Sequence, residues 1–269
     1  VFEAAFNSNM RCLPQVLGDR GYATIASHPN IPVFWNRVNA YPGIGFSRFY
    51  SKSDFDEDDL NGAWLSDRSL YRQVLDRLYS EGAEKPFFNY IMTLSLHRPY
   101  PMSRPTVVTG ESTVPDVNSY LNAVYYSSKD AFDFVQRVHQ TDPDAVIAIM
   151  GDHLPILGGQ MKGFVESNVI SENRRSYDAH TFRRYLATPL VVLNGKDQPL
   201  RLGAVPMHEI PQLLLATLNQ SYDEPQAVLK APAVRTFRGK VISLRDWRKA
   251  PVCTKTVSYT HLRAHETPI

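Results

Sequence analysis

Three histidines stand where apolar, strand-like runs end: Ile25-Ala-Ser-His28, Ile91-Met-Thr-Leu-Ser-Leu-His97 and Ile149-Met-Gly-Asp-His153. In open α/β sheets, ligands bind outside the carboxyl ends of the strands. Titratable groups delivered to three such ends can converge on one site. A lone histidine is more often structural; three at equivalent positions favour a site. Gly151-Asp152-His153 is the sharpest of them. Glycine lets the chain turn tightly as it leaves the strand, and Asp152 and His153 then face the crevice together. Carboxylate oxygen with imidazole nitrogen suits Mn²⁺ or Zn²⁺. The plainer alternative is an aspartate capping the next helix beside an incidental histidine.

A second constellation is His28-Pro-Asn-Ile-Pro-Val-Phe-Trp-Asn-Arg37. Here Asn30, Trp35 and Arg37 can line a pocket for a phosphate group on a small polar alcohol. The guanidinium offers a planar fork to phosphate oxygens, and the indole offers a flat wall. The alternative places Phe34 and Trp35 in the core and leaves Arg37 a surface charge.

Positioning these groups takes strands alternating with helices. Strand patterns cover 22–27, 86–94, 144–150 and 188–193, the third a continuous apolar run of the kind covered on both faces. Helical spacing covers Ser66–Ser80, with Ser66 or Asp67 as cap and Gly82 as C-cap, then Asp116–Gln140 and Met207–Leu218. Leu213, Leu214 and Leu215 are expected to be buried. The acidic patch Asp54–Asp59 and the polar stretch Met102–Pro115 read as surface loops. The alternation predicts an α/β fold with a mostly parallel sheet flanked by helices.

Composition narrows the class. The chain has 269 residues, and 43% hydrophobic content supplies a large core, which excludes disorder. Two cysteines exclude a disulfide scaffold, and a net charge of +2 gives no field for nucleic acid. Cys12 reads as a small buried hydrophobe. No apolar run reaches the roughly 20 residues of a membrane helix. Residues 253–269 lack any helical or strand period and resemble a non-native read-through tail or a disordered terminus. One catalytic-type domain over 1–252 remains. His139, His180 and His208 read as peripheral to it.

Order and spacing then carry a resemblance over roughly residues 12–220. Gly21-Tyr22, His28, Phe34-Trp35-Asn36-Arg37, Tyr41, Gly45-Phe46, Thr93-Leu94-Ser95-Leu96-His97-Arg98-Pro99-Tyr100, Gly151-Asp152-His153, Thr188-Pro-Leu and Met207-His-Glu-Ile-Pro-Gln together are similar to the lipoteichoic acid synthase type of phosphoglycerol transferase. That family lies within the alkaline phosphatase and sulfatase superfamily. The resemblance implies that Asp152 and His153 bind the catalytic metal, often Mn²⁺, with Zn²⁺ or Mg²⁺ as alternatives. His97 would contact the phosphate or assist proton transfer. His28, Asn30, Trp35 and Arg37 would hold the glycerophosphate-type head group. Asn30 stands where the family commonly has Asp, and Leu96 where it has Asn.

The resemblance also sets expectations about what lies outside these residues. The family's threonine nucleophile and an earlier carboxylate ligand precede the His28 position by more chain than is present. The fold is therefore expected to be incomplete at the N-terminus and the chain inactive alone. Thr24, inside a strand, is a poor substitute. The parent would carry a phosphoglycerol-type group from a phospholipid or phosphoglycerol donor to a glycan or lipid acceptor. It would be tethered to the bacterial cell membrane by missing N-terminal segments, with this domain periplasmic or extracellular. The competing readings are a sulfatase or phosphodiesterase of the same superfamily, and a non-catalytic binding domain with this fold.

Overall fold

A computed structural model describes residues 11–80, 83–84, 86–100, 103–194 and 202–221. Strands are β1 (Ala23–Ser27), β2 (Arg48–Tyr50), β3 (Leu60–Asn61), β4 (Trp64–Leu65), β5 (Phe87–Ile91), β6 (Ile147–Met150) and β7 (Leu190–Leu193). The α-helices are α1 (Leu13–Gly18), α2 (Arg37–Gly43), α3 (Asp67–Leu78), α4 (Pro115–Thr141), α5 (Lys162–Glu166), α6 (Ala179–Leu186) and α7 (Ile210–Ser221). The expected C-cap Gly82 and the segment 253–269 lie outside the described residues.

The main sheet runs β2-β1-β5, all parallel. Every residue of β1 is buried, because β1 is the central strand and both its faces are covered. Alternation along the strand sends neighbours to opposite faces. Ile25 joins Phe55, Leu65, Leu70, Val74 and Leu78, which brings in α3. Ala26 joins Tyr41 and Phe46 instead. Small residues in β1 let both layers approach. Thr24 is consumed by structure: its hydroxyl donates to Gly45 O at 2.7 Å and accepts from Ser47 N at 3.0 Å.

Ser66 caps α3 as read, accepting from Ser69 N. The long helix α4 packs on α3 through a stacked Tyr71–Phe134 pair with centroids 4.6 Å apart. Its buried stripe is unexpectedly polar: Asn122, Ser127 and Asp130 are buried, whereas Phe132 is exposed. On α7, Leu215 is buried and Leu213 and Leu214 only partly so.

The main sheet is parallel, as the mostly parallel reading expects, and β6 and β7 form a separate antiparallel pair. One expectation needs correction. The run 144–150 is not covered on both faces, since Ile149 and Met150 are 38% and 42% exposed, and among the described residues β6 pairs only with β7.

Gly45 fixes the turn between α2 and β2. Its φ is +100°, and a Cβ there would lie 2.5 Å from Gln15 N on α1. Both the left-handed backbone and the clash penalise a side chain. Gly45→Ala is expected to cost about 2 kcal/mol, seen as a lowered thermal midpoint. An unchanged midpoint would show that α1 yields.

Candidate functional site

The β1 ladder extends past the strand ends. His28 N donates to Tyr50 O at 2.9 Å, and Met92 N donates to Ser27 O at 2.9 Å. His28 is thereby locked between the continuations of β2 and β5, and it is almost wholly buried. Its Nδ1 lies 2.9 Å from Met92 O. A carbonyl only accepts, so Nδ1 carries the proton and Nε2 presents a lone pair. That Nε2 is buried with no hydrogen-bond partner among the described residues. Burial, then the Arg37 charge and more weakly His97, pull the pKa down to about 4, against the Met92 bond that raises it. The imidazole is therefore neutral at pH 7.

Arg37 opens α2. The two residues before it, Trp35 and Asn36, sit in the left-handed region with φ of 58° and 53°. That turn reverses the chain and drives the arginine inward, leaving it 5% exposed. Its guanidinium donates to Phe34 O at 3.0 Å, contacts Met92 Sδ at 3.5 Å and lies 5.6 Å from the Phe34 ring centroid. Its Nε is buried without an acceptor at hydrogen-bonding geometry among the described residues, and the Tyr41 hydroxyl is a neutral polar neighbour of the guanidinium. No carboxylate pairs with it among the described residues. Buried cations are normally paired, so a buried guanidinium with no carboxylate among the described residues has the chemistry to accept an anion.

The reading of Arg37 as a surface charge is thus overturned. So is the reading of Phe34 and Trp35 as core, since they are 45% and 44% exposed and meet edge to face. Asn30 Oδ1 accepts from Ile31 N at 2.8 Å and shapes its own turn. His97 follows β5 at an exposed turn closed by His97 N to Leu94 O at 2.9 Å, with its Nδ1 2.7 Å from Arg98 O. It lies near enough to act on His28 electrostatically. His28, Arg37 and His97 therefore form one neighbourhood.

Asp152 and His153 follow β6. Asp152 Oδ1 accepts from His153 N at 2.8 Å, and Asp152 Oδ2 lies 3.4 Å from His153 Nε2. That separation matches two ligands on one ion at roughly 2.0–2.2 Å from each. A mixed oxygen and nitrogen donor pair suits Mn²⁺ or Zn²⁺, so the pair fits a divalent metal. No group of three His, Cys, Asp or Glu gathers around a common point among the described residues, so they offer only part of a ligand set.

Tyr90 links the two halves. Burial raises its phenol pKa, with Tyr41 and Asp152 adding and Arg37 opposing. It thus feels both the metal-type pair and the arginine. Sequence reasoning missed Tyr90 and Met92. Met92 acts through a carbonyl and a sulfur, for which no residue-type pattern exists. Of the other described histidines, His139 and His180 are exposed, and His208 Nε2 lies 3.6 Å from Glu209 Oε1.

A family model described as Sulfatase matches residues 5–203. A putative cyclic beta-1,2-glucan modification protein from Rhizobium meliloti is 30% identical over 192 residues, 66% of this chain and 29% of that protein. Lipoteichoic acid synthase from Staphylococcus saprophyticus is 30% identical over 162 residues, 56% of this chain and 24% of its own length. The chain thus spans less than a third of these relatives. Among solved structures, the lipoteichoic acid synthase LtaP from Listeria monocytogenes aligns with TM-score 0.60 and 22% identity, covering 74% of this chain and 50% of that one. Streptococcus pyogenes phosphoglycerol transferase GacH, solved with sn-glycerol-1-phosphate, aligns with TM-score 0.54, 22% identity and the same two coverages. These two share the fold.

Proposed function

Because the chain belongs to the sulfatase family, we propose that it holds the head-group side of an enzyme site that transfers a phosphoglycerol-type group in the cell envelope. The observation that carries this reading is the buried Arg37 guanidinium with no carboxylate partner among the described residues. The structural neighbour GacH, a phosphoglycerol transferase solved with sn-glycerol-1-phosphate, supports the choice of phosphoglycerol.

Each residue has a chemical task. Arg37 binds the phosphoryl oxygens as a bidentate donor. His28 Nε2, neutral and bare, accepts from a hydroxyl of the glycerol moiety. Trp35 walls the rim. Asn30 holds the turn that presents them. His97, exposed on its turn, donates to the charge that builds on the phosphoryl oxygens, or passes a proton to the departing alkoxide. Asp152 and His153 would hold a divalent cation, Mn²⁺ by preference, as part of its ligand set. When bound, such an ion lowers the pKa of a coordinated hydroxyl and neutralises phosphoryl charge.

The donor is a phospholipid or other phosphoglycerol carrier, and the acceptor a glycan or lipid. An alcohol acceptor makes the reaction a transfer; water would make it hydrolysis. The whole protein works at the bacterial membrane with this domain outside the cytoplasm, where an envelope glycan or lipid acceptor would be met. No helix among the described residues is long and apolar enough to cross a membrane.

Three measurements test the reading. Glycerol 1-phosphate is expected to bind the chain saturably, and equal affinity in His97→Ala and Arg37→Ala would refute the pocket. Mn²⁺ is expected to bind weakly, read by water-proton relaxation, and Asp152→Ala to abolish that binding. Undiminished Mn²⁺ binding in Asp152→Ala would move the metal elsewhere. With a partial ligand set and Thr24 locked in β1, the purified chain with Mn²⁺ should not turn over phosphodiesters. Robust turnover would show a complete site.

A further inference from the structure

Asp67 is the first residue of α3, and its exposure is 0%. No cation pairs with it among the described residues; the nearby Arg104 is taken by Asp130, with two contacts of 2.9 Å. Burial raises its pKa, opposed by hydrogen bonds from Ser127 and Ser95. A buried carboxylate without a counter-ion costs stability, so packing alone gives no reason for aspartate here.

Its hydrogen bonds supply one. Ser127 Oγ donates to Oδ2 at 2.7 Å from the polar seam of α4. Ser95 N donates to Oδ1 at 3.2 Å, and Asp67 N reaches back to Ser95 Oγ at 3.4 Å. The side chain therefore ties the α3 N-terminus and α4 to a single point after β5. Ser95 begins the turn that carries His97 at its exposed tip. The other end of that turn is also anchored: Tyr100 is buried, and its hydroxyl donates to Ile156 O at 2.8 Å, just beyond Asp152 and His153. Among the described residues the hydrogen bonds of His97 are local: its amide donates to Leu94 O, its carbonyl accepts from Tyr100 N at 3.1 Å, and its ring meets Arg98 O. Its place relative to His28 and Arg37 is thus set by the two anchors, not by its own bonds.

We propose that Asp67 is a positioning residue, holding the Ser95 end of the turn so that His97 faces the His28–Arg37 pocket. The proposal rests on the reading that His97 contacts the phosphate-bearing ligand. Asparagine can reproduce the frame, since its oxygen accepts from Ser95 N and its amide donates to Ser127 Oγ. Alanine removes both bonds.

The test uses the full 269-residue chain, with calorimetric titration of glycerol 1-phosphate and the imidazole proton resonances of His97 and His139. Asp67→Ala is expected to weaken binding about tenfold, as expected for the loss of one charge-assisted contact. Asp67→Asn should stay within about twofold of the parent. Asp67→Ala combined with His97→Ala should bind no more weakly than His97→Ala alone. The His97 resonance should move in Asp67→Ala while that of His139, on the exposed face of α4, stays fixed. Unchanged binding with an unmoved His97 resonance would overturn the proposal, as would full additivity in the double variant. If Asp67→Ala does not fold, Ser127→Ala removes the other hold on the carboxylate. A His97 resonance that then stays fixed overturns the proposal, and one that moves supports it. Should Arg37→Ala and His97→Ala both leave binding unchanged, the phosphate reading falls, yet the His97 resonance still judges the positioning role.

Discussion

Replacing Arg37 with methionine is expected to weaken glycerol 1-phosphate binding by about 2–4 kcal/mol, roughly 30- to 700-fold, while leaving thermal stability unchanged or raised. Two opposite consequences follow from one burial. For the ligand, the guanidinium is a buried cation at the proposed pocket, and removing a buried partner of an anion forfeits charge-assisted bonds. For the fold, the same group is a buried charge with no carboxylate partner among the described residues. An apolar side chain of similar volume removes its desolvation cost and still packs against Phe34 and Met92. Arg37→Lys should recover part of the affinity, because it keeps the charge but not the planar fork. A variant that lost stability and affinity together would indicate a structural arginine. Retained affinity in Arg37→Met would remove the anion site altogether.

The second large effect is a pH dependence. His28 has its pKa pulled from 6.5 to about 4 in the folded chain, chiefly by burial and then by Arg37. Between these values the unfolded chain binds a proton that the folded chain refuses, so stability falls as pH falls. The contribution is fully present above about pH 6.5 and is lost progressively towards pH 4, amounting to about 3 kcal/mol. Carboxylates also titrate at the lower end, so the measurement is a difference. Urea unfolding of the parent and of His28→Gln is expected to diverge in pH slope between pH 4 and 6.5, the parent losing more. Parallel slopes would mean that His28 takes up its proton in the folded state. Arg37→Met should raise the His28 pKa above 4, because the neighbouring charge contributes to the depression.

Much of this arrangement can be read from residue patterns. The Ala-Thr-Ile-Ala-Ser run of β1 and the polar groups at the ends of β1 and β6 follow from strand periodicity and the crevice rule. The capped helix from Ser66 and the long helix to Thr141 follow from spacing. What escapes is whatever depends on tertiary context. Arg37 lies one residue after a left-handed pair, and only that turn reveals that it points inward. Met92 contributes backbone and sulfur, which no side-chain motif records. The antiparallel β6–β7 pair depends on chain direction through 151–189, where pattern gives no bearing. Likewise, the buried polar stripe Asn122, Ser127 and Asp130 looks like a solvated face until Asp67 and Arg104 are placed beside it.

The central claim is that Arg37 waits for the phosphoryl group of a glycerol phosphate. Its most direct test is the Nε–H resonance of Arg37 in the ¹⁵N-labelled chain during titration with glycerol 1-phosphate. That nitrogen is buried and has no acceptor among the described residues, so a phosphoryl oxygen arriving there must change its hydrogen bonding. The account predicts a saturable shift of the Arg37 resonance with glycerol 1-phosphate and none with glycerol alone. An Arg37 resonance that stays fixed while those of exposed arginines move would contradict it.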